Sequence, residues 1–186
     1  MLYKHLEWKE IDKKEVYRCR VFSVRDTVSR APDGDERTFT VLDAPDWAIV
    51  IPVAHDGDGD KFLMVRQWRH GANALSLEFP GGVLEDGEDG ETAAVREFQE
   101  ETGWSADSIR KLGTFNPNPA IMSNTVHIFL ADGLHRKGKQ KLDADEYVDA
   151  ELVRVQDVIA GMGRPPYVHA LMASALSLYL RLGRGA

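Results

Sequence analysis

The sequence predicts an α/β fold: a mixed sheet covered by helices and preceded by an antiparallel N-terminal β hairpin or sheet. Strand-like and helix-like runs interleave irregularly along the 186 residues, which argues against separate β and α halves. Two strongly apolar runs near the middle, WAIVIPVA and KFLMVRQW, have the length and composition of core strands. A hydrophobic fraction of 43% suits one compact core and leaves little room for a second.

In chain order, Val16 to Leu42 carries β-branched and alternating runs around APDGDE, a turn of Pro, Asp and Gly, and reads as an antiparallel hairpin. The two apolar strands follow, joined by HDGDGD, whose glycines suit a tight turn. LEFPGGVLEDGEDG is a short strand running into a Gly-rich loop. ETAAVREFQEETG then has good helix formers and ends at Gly103, a residue suited to the left-handed position that closes a helix. Strands are expected at IRKLGTF and TVHIFLA. Between Asp132 and Tyr147 the chain is polar, first basic and then acidic, as in a mobile surface loop. AELVRV reads as a strand, VQDVIAGM as a short helix and YVHALMASALSLYLRL as a longer one. Residues 1–45 thus form an N-terminal β region and residues 46–186 the main domain.

Composition excludes several classes. The net charge is -7 and no long basic run occurs, so a sequence-independent grip on nucleic acid is not expected. No apolar stretch approaches the roughly 18 residues of a membrane span, and no signal-like segment is seen. The single cysteine, Cys19, excludes an intramolecular disulfide and fits a reducing, cytoplasmic setting; it reads as a strand residue.

The segment REFQEETGW, Arg96 to Trp104, concentrates negative charge. At about 100° per residue, with Glu97 at zero, Glu101 falls near 40° and Glu100 near -60°. All three carboxylates share an arc of roughly 100°, while Val95, Phe98 and Thr102 lie at about 100° to 160° on a side suited to packing. Like charges three and four apart repel by a few tenths of a kcal/mol per pair. A solvated face, with Arg96 pairing Glu100, is one explanation. The other is a hard divalent cation such as Mg²⁺, which oxygen ligands gathered at one point suit.

The spacing favours the second. Gly82, five residues, Glu88, seven residues, then Arg96, Glu97, Phe98, one residue, Glu100, Glu101, one residue, Gly103 and Trp104 resembles the signature of the Nudix hydrolases. Chance would produce such a match in a chain this long with a frequency on the order of 10⁻⁷. The resemblance implies a Nudix fold, an α/β/α sandwich over residues 46–186, and metal-assisted hydrolysis of a nucleoside diphosphate linked to another group. Glu97, Glu100 and Glu101 correspond to metal-binding, catalytic carboxylates, with the Gly81 carbonyl as a further ligand for Mg²⁺ or Mn²⁺. Arg96 would orient a helix glutamate. Glu88 either holds the loop or stands behind the metal. Phe98 and Trp104 are bulkier than the aliphatic residues usual at those places.

VRQWRHG followed by LEFPGG, together with the N-terminal hairpin, is similar to the ADP-ribose and nucleoside diphosphate sugar pyrophosphatases over most of the chain. This implies a small nucleotide-sugar substrate, ADP-ribose or a nucleotide hexose such as GDP-mannose, cleaved to a nucleoside monophosphate and a sugar phosphate. Arg69 becomes a candidate for a substrate phosphate, with a surface ion pair as the alternative. Glu78 would bind the sugar or brace the loop. Arg37 and Trp47 are candidates for the base, against solvent exposure and core packing respectively. Pro119, in NPNPAIMSN, stands where relatives carry a proline in SPG; a rigid loop without ligand contact is the alternative. Glu146, in DADEYV, resembles an acidic-loop glutamate that completes the metal site or activates water, with Asp143 and Asp145 as rivals. The resemblance also implies a homodimer in which residues 1–45 exchange. A nucleoside triphosphate pyrophosphohydrolase would share the signature but usually lack the long N-terminal hairpin, and a nucleotide-sensing module without catalysis tends to lose box carboxylates, whereas Glu97, Glu100 and Glu101 are all present.

Overall fold

The computed structural model describes residues 2–183. The backbone divides into two units, one reaching to Pro45 and including Asn116–Thr125, the other comprising Asp46–Phe115 and the chain from Val126 onward.

The first unit holds three antiparallel strands in chain order, β1 (Lys9–Arg18), β2 (Ser23–Arg30) and β3 (Glu36–Asp43). The hairpin read from Val16 to Leu42 corresponds to β2 and β3, closed at the Pro-Asp-Gly turn by the Ala31 amide donating to the Asp35 carbonyl. Lys9–Arg18 is a further strand that the sequence reading did not assign. Every residue of β1 is exposed, so KEIDKKEVYR has no buried face to imprint an apolar alternation. Cys19, expected on a strand, lies instead in the β1–β2 turn, where its thiol donates to the Phe22 carbonyl at 3.4 Å. The segment Asn116–Thr125 runs beside β3 through two backbone bonds, Leu42 N to Ile121 O and Ser123 N to Leu42 O.

The second unit is a seven-stranded mixed sheet. Its strands are β4 (Trp47–Asp56), β5 (Gly59–Arg69), β6 (Ala74–Glu78), β7 (Gly81–Val83), β8 (Trp104–Phe115), β9 (Val126–Arg136) and β10 (Val148–Arg154). The order β10-β5-β4-β9-β8 has β6 beside β5 and β7 beside β4, and only the β4–β9 pairing is parallel. Helix α1 (Gly90–Thr102) follows β7, and α2 (Val155–Gly161) and α3 (Ala170–Leu182) follow β10.

Strand β4 explains why WAIVIPVA is apolar without alternation. Ile49, Ile51 and Val53 enter one core with Leu171, Met172 and Leu176 of α3, whereas Ala48 and Val50 enter another with Ala93, Ala94 and Phe98 of α1. Both faces of the strand are covered, so every position is apolar. Helices therefore lie on the two sides of this sheet, the layered arrangement the sequence implied.

The polar stretch after Asp132 is not a loop throughout. Strand β9 continues to Arg136 and pairs with β8 back to Trp104, Arg136 lying 5.5 Å from the Trp104 ring centre. β8 stands at the end of the strand order and has no fully buried residue, so Trp104–Ser108 gives little hydrophobic signal. Beyond Arg136 the chain caps α1: Lys137 and Gly138 donate to the Gly103 carbonyl and Lys141 to the Glu100 carbonyl. These backbone bonds tether the first part of the expected surface loop to the end of the helix.

Candidate active site

Helix α1 carries the carboxylates. Asp89 caps its N-terminus by accepting from the Glu91 and Thr92 amides, and Gly103 closes it with φ at 71°. A side chain at Gly103 would be strained and would approach the Gly138 carbonyl to 2.7 Å. The buried residues are Ala93, Ala94, Phe98, Glu101 and Thr102. On the same wheel they span about -40° to 140°, so the buried face includes Glu101 rather than lying beside it. Ala93 and Ala94 belong to the packing itself.

Glu101 is consequently a carboxylate in a dry place. One oxygen accepts from the Gly81 amide at 2.8 Å. Burial pushes its pKa up to about 8, the charges of Glu97 and Glu146 add to the rise, and the Gly81 bond and Arg69 counter it. Glu97 is also raised, chiefly by burial, with Glu100 and Glu146 adding and Arg96 opposing. The charge of Glu146 thus acts on both. Gly82 makes room for this arrangement, since a Cβ there would come within 2.5 Å of the Glu97 carboxylate.

Arg96 ties the signature together. It forms a fork with Glu88, through Nε at 3.0 Å and Nη2 at 2.8 Å, and reaches Glu97 at 2.8 Å, Glu100 at 3.2 Å and the Val83 carbonyl at 3.0 Å. Glu88, held by Arg96, also accepts from the Glu85 amide, which closes the Gly-rich loop. In this arrangement Glu88 braces the loop and Arg96 links that loop to the helix acids.

Arg69 and Glu78 form a second constellation. The Arg69 Nε and Nη2 donate to the two Glu78 oxygens at 2.9 and 2.6 Å, and His169 contacts the same carboxylate at 2.7 Å. Glu78 is 1% exposed, so it braces Arg69 and the start of α3 rather than opening to solvent. His169 was missed from sequence because it lies 91 residues from Glu78, with no motif joining them. Helix α3 begins at Ala170, directly after His169, rather than at Tyr167 as the sequence suggests.

The remaining candidates are placed as follows. Trp47 is partly buried against the α3-side core. Arg37, in the first unit, is exposed and 3.7 Å from Asp35. Pro119, in the same unit, is exposed in a turn whose Asn118 carbonyl accepts from Ile121 and Met122. Glu146 is exposed; its carboxylate accepts from the Asp143 amide at 3.1 Å, and its own amide donates back to the Asp143 carbonyl. A cavity of about 820 Å³ lies on the outer face of α1, lined among others by Thr92, Arg96, Gln99, Glu100, Lys139 and Lys141. Glu97 and Glu101 do not line it, so size alone does not mark the chemistry.

The donor set suits a hard divalent cation. Among the described residues no group of three or more His, Cys, Asp and Glu side chains forms a ready metal cage. Mg²⁺ does not demand one, because it retains water and is commonly held by one or two carboxylates together with substrate phosphates. The charge of Glu97 adds to the raised pKa of Glu101, those of Glu100 and Glu146 add to that of Glu97, and a cation among such groups removes that penalty.

The NUDIX domain family matches residues 44–173, and the chain belongs to that family. It is a Nudix hydrolase with the mixed α/β architecture that goes with the family. It is 32% identical over 157 residues to the ADP-ribose pyrophosphatase of Bacillus subtilis, covering 84% of this chain and 83% of that one. It is 31% identical over 147 residues to the methanol dehydrogenase activator of Bacillus methanolicus, covering 78% of each. A crystal structure of an ADP compounds hydrolase superposes with a TM-score of 0.83 over 98% of both chains at 23% identity, a likeness of fold. Among the described residues no helix is long and apolar enough to cross a membrane.

Proposed function

We propose that the protein hydrolyses the diphosphate of a nucleoside diphosphate sugar, with ADP-ribose the leading substrate, to a nucleoside monophosphate and a sugar phosphate. The observation that carries this reading is the buried Glu101 carboxylate beside Glu97. Resemblance to the Bacillus subtilis ADP-ribose pyrophosphatase supports the substrate class. Glu97 and Glu101 would hold a divalent cation, Mg²⁺ or Mn²⁺, with Glu100 and the Gly81 carbonyl assisting. When bound, such a cation stabilises charge on the diphosphate oxygens and makes a bound water more acidic.

The chain's own groups do the rest. Arg96 and Gly82 fix Glu97, the Gly81 amide fixes Glu101, and Glu146 takes the proton of the attacking water. Water oxygen bonds to one phosphorus of the diphosphate as the bridging P–O bond breaks, and the departing phosphate carries the electron pair. Arg69 commits Nε and Nη2 to Glu78 and offers Nη1 to a phosphate oxygen. We also propose a homodimer built through the N-terminal sheet.

The test is a panel of ADP-ribose, GDP-mannose, ADP-glucose, UDP-glucose and deoxynucleoside triphosphates with Mg²⁺, read by product mass. Cleavage of a nucleotide sugar to two monophosphates supports the proposal. Triphosphates alone being cleaved, to a monophosphate and pyrophosphate, would refute it.

A further inference from the structure

Resting on the reading of Glu146 as the group that takes the water proton, we infer that Gln140 is the positioning residue that holds the Asp143–Glu146 turn beside Glu97 and Glu101. The Gln140 Nε2 lies 2.5 Å from the Glu101 carbonyl and 3.0 Å from the Val148 carbonyl. Both partners are acceptors, so the amide must present its NH₂ group to them and spends both protons doing so. One partner is a carbonyl in the last turn of α1, which has no donor within the helix. The other opens β10, whose pairing with β5 begins at Val148 and Gln67.

These anchors lie on either side of the turn. Upstream, Lys137 and Gly138 bind the Gly103 carbonyl and Lys141 binds the Glu100 carbonyl. Downstream, β10 locks into the sheet. Residues 142–147 span the interval and include the Asp143–Glu146 exchange, in which each amide donates to an oxygen of the other residue. Gln140 is a side chain that binds both anchors at once, and one of them is the backbone of Glu101 itself. Severing that link removes the side-chain tie between the two ends of the turn and loosens the placement of Glu146.

Gln140→Met keeps length and removes both donors at an exposed position. In metal-free protein, deuterium exchange is expected to accelerate over residues 142–147 and nowhere else, with the melting temperature nearly unchanged. With ADP-ribose and Mg²⁺, kcat is expected to fall about tenfold, the scale of an outer-shell contact, with KM little changed. Gln140→Glu, which brings an anionic acceptor to two carbonyls, should fall further. In a Glu146→Gln background the loss from Gln140→Met should largely disappear, since two residues acting through one step are not additive. Unchanged exchange in Gln140→Met, or an equal fold-loss with and without Glu146, overturns the inference. A silent Glu146→Gln instead refutes the assignment of Glu146, and the exchange measurement then still decides whether Gln140 holds the turn.

Discussion

Glu78 shows how single side chains set the chemistry. Burial opposes its ionisation, yet the Arg69 fork and His169 outweigh burial and bring its pKa down to about 2. A carboxylate whose folded pKa lies below its unfolded value adds stability that is complete above pH 4.5 or so and is lost as pH falls toward 2. The contribution is about 3 kcal/mol. Acid titrations followed by circular dichroism should therefore show wild type losing stability across that window and Glu78→Gln, less stable at neutral pH, losing less of it. Equal slopes would contradict the account. The residue pattern that was legible in sequence is the one written locally: Gly82, Glu88, Arg96 and the three helix glutamates fall within 20 positions. His169 and Gln140 act across chain separations of 91 and 39 residues, and no local pattern announces either.

At the scale of elements, α1 was readable because its formers, its acids and its closing glycine lie in one run. Its buried face was not, since Glu101 occupies a position that a hydrophobic count assigns to solvent. Strand β1 escaped for the opposite reason, having no buried residue to leave a mark. The closing glycine gives the sharpest prediction. Gly103→Ala forces a side chain into the left-handed region and against the Gly138 carbonyl, so a loss of about 1–3 kcal/mol in stability is expected. Because the displaced segment caps α1, exchange should rise over residues 137–141 as well. A thermal melt superimposable on wild type would show that the cap does not need glycine.

For the whole molecule, the covered sheet of the second unit and the bare strands of the first call for different explanations. Trp8, Val16, Tyr17 and Phe39 are all exposed on the three-stranded sheet, and Trp8 and Phe39 stack edge to face. So much apolar surface in solvent is the observation behind the proposed homodimer. Light scattering at micromolar concentration should give twice the monomer mass; a monomer would remove the dimer from the account. The central claim is that Glu101, buried beside Glu97, holds the cation that makes a diphosphate cleavable. Its most direct test is ADP-ribose hydrolysis with Mg²⁺ by wild type and Glu101→Gln, a change that keeps shape and removes charge. The expected result is AMP and ribose phosphate from wild type, and turnover lower by about 100-fold or more in a variant that melts no lower. Near-normal turnover by Glu101→Gln would contradict it.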